Sequence, residues 1–236
     1  MTKLGTFYGI GVGPGDPELL TVKAIRAIKE VDVIIAPKTE KKEGSVALEI
    51  ARPYLKSDIE IIYQVFPMVK DFAESQEIFI SNKEEILETL RANKNVAFLT
   101  LGDPMFYSTY IYIFKLLSEE KINIETIPGV PAFLAIASRL GRPLAFGNDI
   151  LSIIPATADI DEIDAALATS NTSVLMKVYK NFEEIVNTLE AHNMAWQSTL
   201  VSRCGLPDEK IISDISEHKN DKLNYLSTII TRKDNI

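Results

Sequence analysis

In the first half of the chain, short apolar runs alternate with segments of helical period. Residues 6–12 (TFYGIGV), 31–36 (VDVIIA), 59–66, 95–101 (NVAFLTL) and 122–127 read as strands, most of them ending at glycine, proline or a polar turn. Between them, residues 18–29, 45–54, 71–92 and 107–118 place apolar side chains at helical spacing. Asp16 stands where it can cap the first helix, and Pro37 is read as halting the second strand. Strands separated by helices cannot pair as hairpins. They pair in parallel through right-handed crossovers, which buries the sheet on both faces.

The pattern changes at Pro128-Gly129. A helix over 131–140 precedes Gly141-Arg142-Pro143, and short strands follow at 150–154, 173–178, 198–203, 211–212 and 226–231. Helices at 160–168 and 182–191 lie between some of them. Denser strands with fewer crossovers predict a mixed sheet. The expected architecture is therefore α/β in two domains, 1–126 with a mainly parallel sheet and 127–236 with a mixed one.

Charge and cysteine content narrow the function classes. The 33 acidic and 25 basic residues give a net charge of −8, so general nucleic-acid binding is not expected. A single cysteine, Cys204, allows neither an internal disulfide nor a thiolate metal cluster, and it is read as an inert strand-end residue. His192 and His218 lie far apart without ligand spacing, so no protein-bound metal is expected. The opening MTKLGTFYGIGVG lacks the apolar core of a signal peptide, and no apolar stretch is long enough to span a bilayer. A cytoplasmic protein without a membrane partner is expected. No Gly-x-Ser-x-Gly elbow is present, and Cys204 has no evident base, so nucleophilic catalysis finds no support.

Three small-residue loops each follow a strand. The first, Gly9-Ile10-Gly11-Val12-Gly13-Pro14-Gly15-Asp16-Pro17, fails as a dinucleotide fingerprint because Pro14 and Asp16 occupy the positions that need glycine. It suits a tight backbone corner that an uncharged or cationic ligand approaches, or a bare strand-to-helix turn. The second, residues 99–109 (LTLGDPMFYST), lies at the carboxyl end of its strand, where ligands bind in open parallel sheets. Asp103 there can accept hydrogen bonds from ribose hydroxyls or an amino group, or can simply cap the next helix. The third, residues 127–133 (IPGVPAF), leaves room for a flat ring or forms a hinge.

Taken in order, GxGPGDPxLLT, LGDPxxY and PGVxA resemble the tetrapyrrole methylases, the class III S-adenosylmethionine-dependent methyltransferases, over essentially the whole chain. Within that family the chain looks most like the precorrin-2 C20-methyltransferases of cobalamin synthesis, including the cobalt-precorrin-2 (cobalt-factor II) form. That narrower likeness rests on residues 31–38 (VDVIIAPK), 42–55 (KEGSVALEIARPYL), 101–110 (LGDPMFYSTY), 175–177 (LMK) and 225–230 (YLSTII).

The resemblance implies S-adenosyl-L-methionine as cofactor, S-adenosyl-L-homocysteine as product, a tetrapyrrole substrate, a cofactor cleft between the two domains, and a homodimer. Carried over by motif, Pro14 lies in the first loop, and Leu101, Gly102, Asp103 and Phe106 hold the cofactor with Ser108 and Thr109 beside them. Pro131 and Ala132 match the adenine-side pair, although Pro131 lacks the hydroxyl that this position often carries. Lys177 falls where relatives often carry Met. Gly205, Tyr225, Leu226 and Ser227 complete the set. No general base is identified, and Asp16 and Tyr107 are the nearest candidates for orienting substrate.

Other readings stand beside this one. They are methylation of another tetrapyrrole position, of diphthine or of ribosomal RNA, a nucleotide-dependent α/β enzyme, and a cofactor-sensing module without turnover. A polycarboxylate tetrapyrrole is repelled at long range by a chain of this charge. Basic residues must therefore gather locally, and Lys38, Lys41, Lys42, Arg139, Arg142 and Lys177 are the candidates, with Asp159, Asp161, Glu162 and Asp164 on an outer helix.

Overall fold

The computed structural model describes residues 4–39, 44–67 and 76–233, which fall into two compact units, Met1–Pro131 and Ala132–Ile236. The expected residues Lys41 and Lys42, and the start of the 71–92 helix, lie outside the described residues.

The first unit is built on a sheet of order β3-β2-β4-β1-β5, all parallel. Its strands are β1 (Thr6–Gly11), β2 (Val33–Lys38), β3 (Glu60–Val65), β4 (Val96–Thr100) and β5 (Asn123–Ile127). Its helices are α1 (Val22–Glu30), α2 (Val46–Ala51), α3 (Gln76–Arg91) and α4 (Tyr110–Leu117). Phe7, Val33, Ile35, Val96 and Phe98 pack with Phe79, Ile86 and Leu90 of α3 and Tyr110, Ile113 and Leu117 of α4. The alternate residues Ile10, Ile34 and Leu99 are equally buried, with α1 on β1 and α2 on β2 and β4 covering that face. Both faces being covered explains why these strands read as continuous apolar runs.

Two local expectations give way. The first helix does not start at residue 18: Asp16 caps only a 3-10 turn over Pro17–Leu19, accepting the Glu18 N–H at 2.9 Å. Leu20 is extended, and α1 begins anew at Val22 under a cap in which Thr21 Oγ1 accepts the Ala24 N–H at 3.1 Å. Pro37 does not halt β2, which runs on to Lys38 in register with β3. Beyond Ile35 the strand no longer pairs with β4, so one side carries no ladder and the missing N–H is tolerated.

The second unit holds α5 (Ala132–Leu140) and a mixed sheet of order β6-β7-β10-β8-β9. Its strands are β6 (Leu151–Pro155), β7 (Thr172–Met176), β8 (Thr199–Ser202), β9 (Lys210–Ile212) and β10 (Ser227–Arg232). Only β6 and β7 are parallel, and β10 runs antiparallel to both β7 and β8. Helices α6 (Ile160–Thr169) and α7 (Phe182–Ala191) pack on it through Ile163, Leu167, Phe182, Ile185, Val186 and Leu189. The acids Asp159, Asp161, Glu162 and Asp164 lie in or capping α6, as the charge argument expects.

Candidate functional site

At the carboxyl edge of the first sheet the three loops are fastened to one another by backbone. The Val12 N–H donates to Thr100 O at 2.9 Å, and Gly13 and Gly102 form an antiparallel bridge, with N–H···O distances of 3.3 and 2.8 Å. Gly13 (φ +77°) and Gly102 (φ +71°) both lie in the left-handed region that glycine enters without strain. Asp103 then ties the second loop to the third. Its Oδ1 accepts the Met105 N–H at 2.8 Å and its Oδ2 the Gly129 N–H at 3.0 Å. Asp103 is thus fixed by two charge-assisted bonds and retains lone pairs for a further donor.

The glycines divide into two kinds. A Cβ on Gly129 would lie 2.1 Å from Gly102 O and 2.8 Å from the Gly11 backbone, and one on Gly11 would lie 2.5 Å from Gly129 N. These two serve backbone-to-backbone packing. Gly9 makes room for a side chain instead, since its Cβ would lie 2.1 Å from Tyr110 Cζ. That ring is buried in the core, and its hydroxyl meets Thr126 Oγ1 at 2.6 Å. Gly102 alone of the four has space, its nearest neighbours being Pro131 Cα at 3.9 Å and Val130 O at 4.0 Å. Buried Gly102 thus leaves room for close backbone approach beside the fixed Asp103 carboxylate, which fits the S-adenosyl group that the sequence motifs imply.

The other expected residues of this unit lie at the same edge. Leu101 precedes Gly102, and Pro14 and Gly15 are buried. Phe106 closes a turn by donating its N–H to Asp103 O at 3.3 Å, and its ring meets Tyr107 at 4.7 Å between centroids. Tyr107 takes φ +47°, Ser108 Oγ donates to Pro104 O at 2.6 Å, and Thr109 precedes α4. Lys38 ends β2 with its ammonium 5.6 Å from the Tyr63 ring centroid. Pro131 ends the unit.

In the second unit, β7 and β8 both finish beside the start of β10. Met176 pairs with Thr228 and Ser202 with Ser227, so Lys177 and Arg203 bracket Leu226 and Ser227. The Arg203 N–H donates to Leu226 O at 2.9 Å, and Ser227 Oγ donates to Asn224 O at 2.7 Å and meets Ser202 Oγ at 3.1 Å. Gly205 (φ +75°) donates its N–H to Glu209 Oε2 at 2.8 Å, and Tyr225 directly precedes Leu226 in the chain. Burial lowers the Lys177 pKa below the usual lysine value. Lys177, Gly205, Tyr225, Leu226 and Ser227 are thereby gathered at one sheet end, although they come from three separate stretches of sequence.

Ala132 opens α5. Arg139 is engaged by Glu209 at 3.1 Å. Arg142 donates to Thr199 Oγ1 at 2.8 Å, at the opposite end of β8 from Ser202, so it does not join the Lys177 group. Asp16 spends its carboxylate on the 3-10 cap.

Sequence reasoning missed Arg203, whose position could have been found from its place after an apolar strand and before Cys204-Gly205. It also missed the pairing of each histidine with an aspartate, His192 with Asp164 at 2.8 Å and His218 with Asp221 at 2.7 Å. Cys204 is buried, and its thiol is pushed up to about 11 by burial and then by the Glu209 carboxylate, which keeps it a protonated, inert group. Among the described residues, no group of three or more His, Cys, Asp or Glu is placed to hold a metal ion, and no helix is long and apolar enough to cross a membrane.

Comparison with known proteins agrees with this arrangement. Residues 6–218 match the model of the Tetrapyrrole (Corrin/Porphyrin) Methylases. The chain is 36% identical to the cobalt-precorrin-2 C(20)-methyltransferase of Salmonella typhimurium over 230 residues, 97% of each chain. It is 34% identical over 235 residues to a probable cobalt-precorrin-2 C(20)-methyltransferase of Methanocaldococcus jannaschii, covering 96% of this chain and 95% of that one. In fold it is similar to a crystal structure of uroporphyrin-III C-methyltransferase from Thermus thermophilus complexed with S-adenyl homocysteine. That likeness has a TM-score of 0.70 at 22% identity, over 97% of this chain and 98% of that one. With loops, sheet order and full-length similarity in agreement, the chain belongs to the tetrapyrrole (corrin/porphyrin) methylases.

Proposed function

We propose that the protein transfers a methyl group from S-adenosyl-L-methionine to C20 of precorrin-2 or its cobalt form, cobalt-factor II included, in cobalamin biosynthesis. The observation that carries the reading is the 36% identity across 97% of both chains to a relative named for that reaction.

When bound, S-adenosylmethionine supplies an electrophilic methyl on a cationic sulfur. The chain's own part is to position and to exclude water. Gly102 gives the flat face, and Asp103, pre-set by the Met105 and Gly129 amides, accepts from a ligand hydroxyl or amino group without reorganising. Leu101, Phe106, Ser108 and Thr109 frame that loop, and Pro14, Pro131 and Ala132 lie in the neighbouring two. Gly205, Tyr225, Leu226, Ser227 and the backbone at Lys177 contribute from the second sheet. Charge on sulfur disperses as the methyl leaves, so alignment in a dry site suffices and no covalent nucleophile is needed. Lys38, Lys41, Lys42 and Arg139 are the candidates for substrate carboxylates, and Arg142, bound to Thr199 at the far end of β8, is set aside. Asp16, already capping, and Tyr107 orient substrate at most, and no general base is assigned.

A cytoplasmic homodimer goes with this reading; a dimer mass in light scattering would support the oligomeric state, and a monomer mass would contradict it. Calorimetry with S-adenosylhomocysteine and with ATP tests the reading's class. Binding of the first and not the second supports it, and preference for ATP overturns it.

A further inference from the structure

Buried side-chain atoms without a hydrogen-bond partner among the described residues include Gln64 Oε1, Ser173 Oγ and Thr100 Oγ1. Gln64 is anchored through its nitrogen, Nε2 donating to Asn82 O and Glu85 Oε2 at 2.9 Å each. Ser173 lies inside the second sheet, paired with Ser152 of β6 on one side and Thr231 of β10 on the other. Thr100 differs from both in its place. It is the last residue of β4, only 7% exposed, and directly precedes Leu101-Gly102-Asp103.

On one side of Thr100 the sheet continues, since it pairs with Gly11 of β1 and its carbonyl accepts the Val12 N–H at 2.9 Å. On the other side the sheet opens. β2 and β4 pair at Val33–Val96, Ile34–Ala97 and Ile35–Phe98, and the next β2 residue on the Ile35 face is Pro37, which has no N–H. β2 is followed by α2 and β4 by α4, helices on opposite faces of the sheet. Neighbouring strands whose connections part in this way leave a crevice at their carboxyl ends, where ligands of open parallel sheets bind. Lys38, the last residue of β2, stands across that opening. By strand alternation the Thr100 side chain shares the face of Val96 and Phe98. The Tyr110 hydroxyl on that face is already engaged with Thr126 Oγ1 at 2.6 Å.

We propose that Thr100 is a specificity-determining residue whose hydroxyl donates a hydrogen bond to a carboxylate of the tetrapyrrole, in the crevice between β2 and β4. This rests on the methyltransferase reading above. Asp103 and the room at Gly102 face the third loop, on the β1–β5 side of β4, which leaves the β2 side to the second reactant. A buried O–H without an acceptor carries its full desolvation cost, and a ligand carboxylate removes that cost on binding. The β-branched threonine also fixes the direction of its donor, where the flexible Lys38 side chain supplies charge alone.

The test compares wild type, Thr100→Val, Thr100→Ser and the control Ser173→Ala. Melting temperature, calorimetric S-adenosylhomocysteine affinity, and KM and kcat with cobalt-factor II are measured for each. Valine keeps the β-branched shape and removes only the hydroxyl. Because that hydroxyl has no partner within the chain, Thr100→Val should melt at the wild-type temperature or above it, by up to about 4 °C. It should leave S-adenosylhomocysteine affinity unchanged and raise the tetrapyrrole KM on the order of tenfold with kcat little altered. Thr100→Ser should restore most of the KM. Ser173→Ala removes the same group from inside a ladder and should leave KM alone. A Thr100→Val variant that keeps the wild-type KM, loses S-adenosylhomocysteine affinity in step with it, or melts more than about 2 °C lower overturns the inference. A wild-type protein that binds no S-adenosylhomocysteine and methylates no tetrapyrrole overturns the underlying reading as well.

Discussion

Replacing Gly129 by alanine tests the fastening of the three loops. The new Cβ would lie 2.1 Å from Gly102 O and 2.8 Å from Gly11 C and Cα, all backbone atoms that cannot swing aside. Ordinary contact begins near 3.4 Å, so the second and third loops must part by about 1.3 Å. That shift stretches the Gly129 N–H···Asp103 Oδ2 bond, now 3.0 Å, past useful length. Overpacking costs about 1–3 kcal/mol and loss of a charge-assisted bond about 1.5–3 kcal/mol. The two overlap because one movement relieves the first by incurring the second, leaving a net ~2–4 kcal/mol. For a chain of this length the melting temperature should fall by ~5–15 °C. S-adenosylhomocysteine affinity should fall with it. Gly102→Ala separates space from conformation: its Cβ meets nothing closer than 3.9 Å, but φ is +71°. It should lose only about 1–2 kcal/mol of stability, yet weaken cofactor binding more than Gly129→Ala does per degree lost, because its methyl takes up the room beside Asp103. Calorimetric scans and titrations read both. Gly129→Ala melting within about 2 °C of wild type would refute the packing of these loops.

Asp103→Asn keeps the shape but leaves one of the two backbone amides, of Met105 or Gly129, without its acceptor. It should cost about 1–3 kcal/mol in chemical denaturation and weaken S-adenosylhomocysteine binding in calorimetry. Asp149 is held below the usual carboxylate range by the Phe146 amide and then by the Arg232 guanidinium, 2.8 Å away. Its folded pKa being depressed, its contribution is complete above the unfolded value and lost as pH falls through the lower folded one. Melting curves of wild type and Asp149→Asn should therefore differ at neutral pH and converge in acid. Cys204 should resist iodoacetamide at pH 8 in the folded protein and react once unfolded, as its thiol near 11 requires.

Much of the fold is legible in the sequence because burial and period are local properties. The runs at 95–101 and 182–191 became β4 and α7 almost residue for residue. The loops behaved differently. The glycines of GIGVGPG read as room for a ligand, yet Gly9 accommodates Tyr110 and Gly11 accommodates Gly129, contacts between segments some hundred residues apart. No local pattern encodes which distant backbone will fill a vacant Cβ. From sequence, Asp103 reads equally as ligand acceptor or as cap. In the structure it bonds one amide two residues ahead and another in the third loop, and keeps acceptor capacity besides. A sequence distinguishes basic residues by type alone, so Arg142, bound to Thr199 at the far end of β8, cannot be told there from Lys177. Pro37 misled because a proline stops a strand only where both neighbours need its N–H, and strand order is not written in any one segment.

The central claim is tested most directly by incubating the protein with S-adenosylmethionine and cobalt-factor II, then analysing the macrocycle by mass spectrometry and NMR. The account predicts one added methyl, located at C20, with stoichiometric S-adenosylhomocysteine. Cofactor binding without any methylated tetrapyrrole, or a methyl at another ring position, would contradict it.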